Sequence, residues 1–150
     1  MEDGYYILVC EVEDIVGLKG QAMAQYIYVD NTPPSLSIIS PRNGSNITGV
    51  VEICAVASED TQWVAFYYYN DTNMNGIADD YDNNSSWVMI GNDTVISDGI
   101  CITWDTTGLD IPAAIIMAEA MDSIGHRSQA YVCYIEVDNT PPYIVVSNPQ

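Results

Sequence analysis

The stretch Val29-Asp30-Asn31-Thr32-Pro33-Pro34 returns letter for letter 108 positions later, as Val137-Asp138-Asn139-Thr140-Pro141-Pro142. The shared register runs upstream without a gap. Asp14 falls on Asp122, Gly17 on Gly125, Gln21-Ala22 on Gln129-Ala130 and Tyr26-Ile27 on Tyr134-Ile135; downstream, Pro41 falls on Pro149. Repeats of about 100 residues fit β-sandwich domains strung along one chain. The expected boundaries follow: residues 1–30 are the last strands of one repeat, 31–138 form a complete repeat, and 139–150 are the linker and first strand of the next. Paired prolines fix φ and favour extended backbone, so the junction suits a short stiff linker.

Between the junctions, short alternating segments are bounded by Gly, Pro, Asn and Asp. Strands are expected near residues 35–40, 49–58, 62–70, 86–91, 99–105, 112–121 and 129–138. Residues 112–121 (Pro-Ala-Ala-Ile-Ile-Met-Ala-Glu-Ala-Met) have helical propensity, but the repeat aligns them with Tyr5-Tyr-Ile-Leu-Val-Cys-Glu-Val-Glu13, which is rich in strand formers. The expectation is an all-β, Ig-like antiparallel β-sandwich of about seven strands, with partial neighbouring repeats at both ends.

The order and spacing of several motifs carry a resemblance. They are Pro41-x-x-Gly44 with Gly49-Val-Val-x-Ile53, Val64-Ala-Phe-Tyr-Tyr68, Trp87-x-x-Ile90-Gly91, Trp104-Asp-Thr-Thr107, Ala118-x-Ala120-x-Asp122-x-x-Gly125 and the closing Val137-Asp-Asn-Thr-x-Pro142. Over 31–138 the chain resembles bacterial and archaeal Ig-like repeats, which are similar in layout to fibronectin type III domains. That resemblance implies a place in arrays on surface proteins, adhesins or secreted hydrolases. It implies a scaffold, spacer or adhesive role and no reaction.

Within the acidic insertion 70–85, Asp71-Thr-Asn73-Met-Asn75-Gly76-Ile77-Ala-Asp79-Asp80-Tyr-Asp82 matches the order of a calcium loop. Oxygens at positions 1, 3 and 5 converge on one cation, Gly at 6 permits the sharp turn, and position 7 offers its carbonyl. The candidate ligands are Asp71, Asn73, Asn75, the Ile77 carbonyl, Asp79 and Asp82, an oxygen-only set that favours Ca2+ over a transition metal. Asn at positions 3 and 5 lowers the ligand charge, Asp82 is shorter than the usual Glu, and flanking helices are absent. The competing reading is an Asn/Asp/Gly-rich turn.

Glu52 is expected to face solvent, which by alternation turns Val51, Ile53 and Ala55 inward and Cys54 outward. With Ile100, Ile102 and Trp104 as core, Cys101 faces outward on the neighbouring strand. Cys54 and Cys101 are then candidates for a cross-strand disulfide, with free thiols as the alternative. Cys10 and Cys133 fall on different repeat positions, and no partner follows for either. Sequons at Asn43, Asn46, Asn70, Asn83, Asn84 and Asn92 fall in expected turns or strand ends and are candidate glycan sites. Trp63, Tyr67 and Tyr69 form an outward stripe, a candidate interface to a neighbouring repeat, an identical subunit or a carbohydrate.

Twenty-one acidic residues against three basic ones give a net charge of −18, which repels phosphate backbones and anionic lipid and excludes nucleic acid as a partner. No apolar run approaches a membrane span, so insertion is not expected. Met1-Glu2-Asp3-Gly4 lacks the layout of a signal peptide, and any export signal is expected outside these residues. The single histidine, His126, is expected in an exposed turn, and no serine sits in a nucleophile motif, so no enzyme is expected. Taken together, the sequence predicts an extracellular or cell-surface structural module rigidified by Ca2+. The alternatives are a carbohydrate-binding module and a filament subunit that exchanges strands through its unpaired ends.

Overall fold

The computed structural model describes residues 1–79 and 86–147, and these fall into two units, Met1–Pro33 and Pro34 onward. The first unit is a hairpin of β1 (Gly4–Glu13) and β2 (Lys19–Val29). The second contains β3 (Leu36–Ser40), β4 (Asn46–Ile47), β5 (Val50–Ala57), β6 (Thr61–Asn70), β7 (Val88–Asp93), a 3-10 turn (Ile96–Asp98), β8 (Ile100–Asp105), β9 (Ile111–Asp122) and β10 (Arg127–Val137).

The second unit is an Ig-like sandwich. A sheet in the order β4-β10-β9-β6-β7 faces a sheet in the order β3-β5-β8. Every pairing is antiparallel except β4 with β10, where Asn46 and Ile47 run parallel to Glu136 and Val137. The two-residue strand β4 was not legible in the sequence; it exists because the chain crosses from one sheet to the other after β3 and meets the edge of β10. Residues 139–147 carry no strand; the end of the expected first strand of a following repeat, 148–150, lies outside the described residues. An isolated segment has no ladder partner for its N–H and C=O groups, and strand propensity alone does not supply one.

The core between the sheets follows the two-residue period of the strands. Ile53 of β5, Val64 and Phe66 of β6, Trp104 of β8, Ile116 of β9 and Ile135 of β10 are all buried in one cluster. Tyr68 stacks on Trp104 with ring centroids 5.0 Å apart. Pairs of this kind contribute about 0.5–1.5 kcal/mol beyond the area they bury. The alternation breaks down on β9, where Ala113, Ile115 and Met117 are buried as well as Ala114, Ile116 and Ala118. Strand β9 is therefore covered on both faces, which explains why its sequence reads as a continuous apolar run rather than an alternating one.

Cys54 and Cys101 are directly opposite each other on β5 and β8 and are joined by a disulfide, with Cα atoms 4.2 Å apart. Their neighbours Ile53 and Ala55 are buried, and so are Ile100 and Trp104, so the bridge lies on the outer face of the three-stranded sheet. Cys10 and Cys133 are free thiols.

Candidate cation loop and its surroundings

Strand β6 ends at Asn70, and the next residue, Asp71, is fully buried. Its backbone N–H donates to the Ala113 carbonyl at 3.0 Å, which ties the head of the loop to β9. One carboxylate oxygen accepts the N–H of Asn75 at 3.2 Å and the other accepts that of Gly76 at 2.6 Å. Asn73 Oδ1 accepts the Asn75 N–H at 3.0 Å, and Asn75 Oδ1 accepts the Ile77 N–H at 2.7 Å. The loop is thus wound around its own side-chain oxygens in successive Asx turns.

The amide groups of Asn73 and Asn75 donate to the two oxygens of Asp79, at 3.3 and 3.0 Å. The structure therefore brings together four of the expected ligand positions, 71, 73, 75 and 79. The expected ligand Asp82 and the candidate glycan sites Asn83 and Asn84 lie outside the described residues. The donor set is hard and oxygen-only, a chemistry that suits a divalent cation such as Ca2+, and both carboxylate oxygens of its buried member Asp71 accept backbone N–H groups of the loop.

Glycine at position 76 is required twice over. Its φ is +77°, and an added Cβ would lie 2.6 Å from the Tyr134 hydroxyl. Tyr134 donates that hydroxyl to the Asn75 carbonyl at 3.1 Å, and the Cys133 thiol lies 3.6 Å from the Gly76 carbonyl. Burial, together with the charge of Asp71, pushes the Cys133 thiol above its usual value. Neither residue belongs to the loop motif. The signal for them is the strand β10, which only the fold brings under the loop.

The described part of the same loop lies over Tyr69 and Ile115 on the outer face of the five-stranded sheet. Trp87 lies 5.3 Å from the Tyr69 ring and 6.2 Å from that of Tyr131, and a cleft is lined by Gly76, Ile77, Trp87, Ile115, Tyr131 and Cys133. Tyr69 donates its hydroxyl to the Asp79 carbonyl at 2.7 Å and is only 4% exposed. This corrects the expectation of an outward stripe at Trp63, Tyr67 and Tyr69: the strand face is the one foreseen, but the loop lies over its last member. Tyr67 is half-buried, and Trp63 carries the Arg127 guanidinium 5.3 Å above its ring. These three side chains do not form a continuous flat platform.

Among the candidate glycan sites, Asn43, Asn46 and Asn92 are exposed, whereas Asn70 is half-buried at the end of β6. Asn43 also uses its Oδ1 to accept the Cys133 N–H at 2.8 Å.

The turn between β9 and β10 is organised by Asp122, which is buried. Its Oδ1 accepts the N–H groups of Ile124, Gly125 and His126 at 2.7–2.9 Å, and its Oδ2 lies 2.9 Å from His126 Nδ1. Burial pushes the carboxyl up, but the N–H groups of Ile124, His126 and Gly125 and the His126 ring outweigh it and hold it below the ordinary value. His126 is half-buried and paired, not the freely exposed turn residue expected. A side chain that fastens its own turn has a structural task.

At the closing junction, Asn139 works as a clamp. Its Oδ1 accepts from Thr48 Oγ1 at 3.0 Å and Gly49 N–H at 2.8 Å, and its Nδ2 donates to the carbonyls of Thr106 at 2.8 Å and Leu109 at 2.6 Å. Its own N–H donates to Asp110 at 2.9 Å. The junction motif is thereby fastened to two loops at the end of the sandwich.

No protein-family model and no curated protein matches the chain. Among solved structures it is similar to the fibronectin(III)-like modules of Clostridium thermocellum CbhA, at 19% identity over 69% of this chain and 94% of the other, with a TM-score of 0.45. It is similar to an endo-beta-1,4-mannanase from Thermotoga petrophila at 16% identity over 74% of this chain and 21% of that one, with a TM-score of 0.47. A Ca2+-stabilized adhesin that helps an Antarctic bacterium bind ice aligns at 10% identity over 89% of this chain and 32% of the adhesin, with a TM-score of 0.35.

Proposed function

We propose that this chain is a structural module of an extracellular or cell-surface array, in which rigid Ig-like sandwiches are spaced by Asp-Asn-Thr-Pro-Pro junctions and stiffened by Ca2+. The observation that carries the reading is the junction itself. Asn139 spends its whole side chain on fastening the end of one sandwich, and after Thr140 two prolines follow. An ordinary loop has no need of a five-bond clamp, whereas a spacer must hold its exit direction. The Cys54–Cys101 disulfide fits an oxidising compartment, and no helix among the described residues is long and apolar enough to cross a membrane.

In this reading Ca2+ binds at Asp71, Asn73, Asn75, the Ile77 carbonyl and Asp79, with Asp82 closing the set. Its task is to neutralise the buried Asp71 and to hold down the loop that covers β9. The role is scaffolding, with neighbouring repeats as the partners and no catalysis. The carbohydrate alternative draws no support from Trp63, Tyr67 and Tyr69, since Tyr69 is covered and Trp63 is capped.

The test is a melting curve in chelator and then in 5 mM Ca2+. Sites of this class in extracellular modules bind at about 10⁻⁴–10⁻³ M. Linkage then gives a stabilisation of about 1–2 kcal/mol and a rise of roughly 5 °C. Asp79→Asn is expected to abolish the rise while leaving the melt in chelator near the wild-type value. An identical melt with and without Ca2+ would reduce the loop to an acidic turn.

A further inference from the structure

We infer that the β1–β2 hairpin is the closing half of another Ig-like sandwich, and that its partner is a strand set equivalent to β3–β8 lying outside these 150 residues. The inference deepens the array reading by naming what docks on the hairpin, and its test does not involve Ca2+.

The hairpin reproduces β9–β10 in geometry as well as in sequence. At the 108-residue offset, Tyr6 opposite Ile27 corresponds to Ala114 opposite Ile135, and Leu8 opposite Ala24 corresponds to Ile116 opposite Val132. An irregularity in register falls between these same two pairs in both hairpins; β9–β10 has a second one between Ile135 and Val137, so that Val137 faces Ile111 where Val29 faces Gly4. Tyr26 and Tyr134, the matching residues inside it, both have φ of 59°, a conformation that a tyrosine rarely adopts. The turns match too. Asp14 accepts the N–H groups of Val16 and Leu18 at 2.9 Å, as Asp122 accepts those of Ile124 and His126. Beyond the second irregularity the likeness is displaced by one residue: Asn31 N–H donates to Asp3 at 2.8 Å and Asn139 N–H to Asp110, which stands at the repeat position of Glu2.

The environments differ completely. Leu8, Val12 and Ile27 are 61%, 67% and 37% exposed, whereas their counterparts Ile116, Ala120 and Ile135 are 0% exposed in the sandwich core. The opposite face behaves likewise: Ile7 and Val9 are exposed, and their counterparts Ile115 and Met117 are buried, Ile115 beside Gly76 and Ile77 of the loop. A hairpin with apolar side chains on both faces and a β-bulge in register with a sandwich strand pair is built for cover on both sides. What covers it is shown by β9–β10: a sheet like β3-β5-β8 on one face, and a loop like the one ending at Trp87 on the other. A second copy of this chain does not satisfy it, because each copy carries two such hairpins and one strand set.

Cys10 makes the inference measurable. It is exposed, yet it sits at the position of Ala118, which is 0% exposed. The experiment compares the 150-residue chain with a fusion in which a copy of residues 34–110 is placed directly ahead of Asp3, both in a Cys133→Ser background. Maleimide labelling of Cys10 is expected to be rapid in the chain and at least about a hundredfold slower in the fusion, as cooperative burial requires. Because Tyr6 occupies the position of the small, fully buried Ala114, the fusion is also made with Tyr6→Ala; protection in either fusion upholds the inference. Unprotected Cys10 in both fusions overturns it, and the melt of the native sandwich in the same samples separates failed docking from a failed fold. Concentration-dependent protection of Cys10 in the 150-residue chain alone would also overturn it, by making a second copy the occupant.

Discussion

The hairpins β1–β2 and β9–β10 share their pairing register from the turn as far as Ile27 and Ile135, the irregularity within that stretch and their turn-capping aspartate, yet one lies open to solvent and the other forms the centre of a sandwich. The difference separates two layers of structure that are usually seen together. Turn chemistry and strand register are encoded locally: Asp at the turn, Gly three residues on, and a tyrosine that accepts positive φ suffice to draw the hairpin. Burial is not a property of the hairpin at all. Stability therefore belongs to the assembled sandwich, and equivalent substitutions in the two hairpins should have unequal consequences.

The largest contrast is expected in the core. Ile116→Ala removes buried volume and should cost about 2–5 kcal/mol of unfolding free energy, while the equivalent Leu8→Ala should change the main transition by less than about 0.5 kcal/mol. Urea unfolding of the two variants measures this directly, and equal effects would mean that the hairpin already shares a core. Next comes the bridge that β1–β2 lacks. Replacing Cys54 and Cys101 together by Ala should lower stability by about 2–4 kcal/mol, since the disulfide closes a loop with a sequence separation of 47. Under reducing conditions the wild-type protein should approach the variant.

A smaller contrast is expected at the two junctions. Asn139→Ala leaves the Leu109 carbonyl and the N–H of Gly49 without their partner, removes one of the two donors to the Thr106 carbonyl, and should cost about 1–3 kcal/mol. Asn31→Ala, whose side chain reaches only Met1 and Asp3, should leave the main melt unchanged.

The smallest effect is confined to acid. The Asp122 carboxyl is held below its ordinary value in the folded protein, so its contribution is fully present above the unfolded value of about 3.9 and is lost as pH falls through the lowered folded value. The stability gap between wild type and Asp122→Asn should therefore narrow below about pH 4, whereas Asp14→Asn, in a turn whose carboxyl is exposed, should show no such gap in the main transition. A gap that stays constant down to pH 2 would show that the turn depends on the shape of Asp122 and not on its charge.

Much of this was open to reading before any coordinates. The repeat placed β9 as a strand against its helical propensity, because one segment of the chain could be compared with another. The facing of Ile53 and Trp104, and with it the outward pairing of Cys54 with Cys101, followed from a period of two anchored on one charged residue, Glu52. The grouping of Asp71, Asn73, Asn75 and Asp79 in one loop was legible because the four are near neighbours in the chain. The covering of Tyr69 was not, because it depends on residues that meet only across the sheet. A hint was present in the run Ala113-Ala-Ile-Ile-Met-Ala118, where an apolar residue at every position signals two covered faces.

The sequence by itself determined most of the strands, the faces they present, the turn caps and the side-chain oxygens gathered in the loop after β6, since these depend on neighbours within a few positions. Only the tertiary structure decided which of the two apolar hairpins is buried, that β4 exists, that the loop seals the outer face above Ile115, and that Asn139 fastens the end of the sandwich. These are contacts between segments far apart in the chain, and a residue type states what it needs as a partner without stating where that partner comes from.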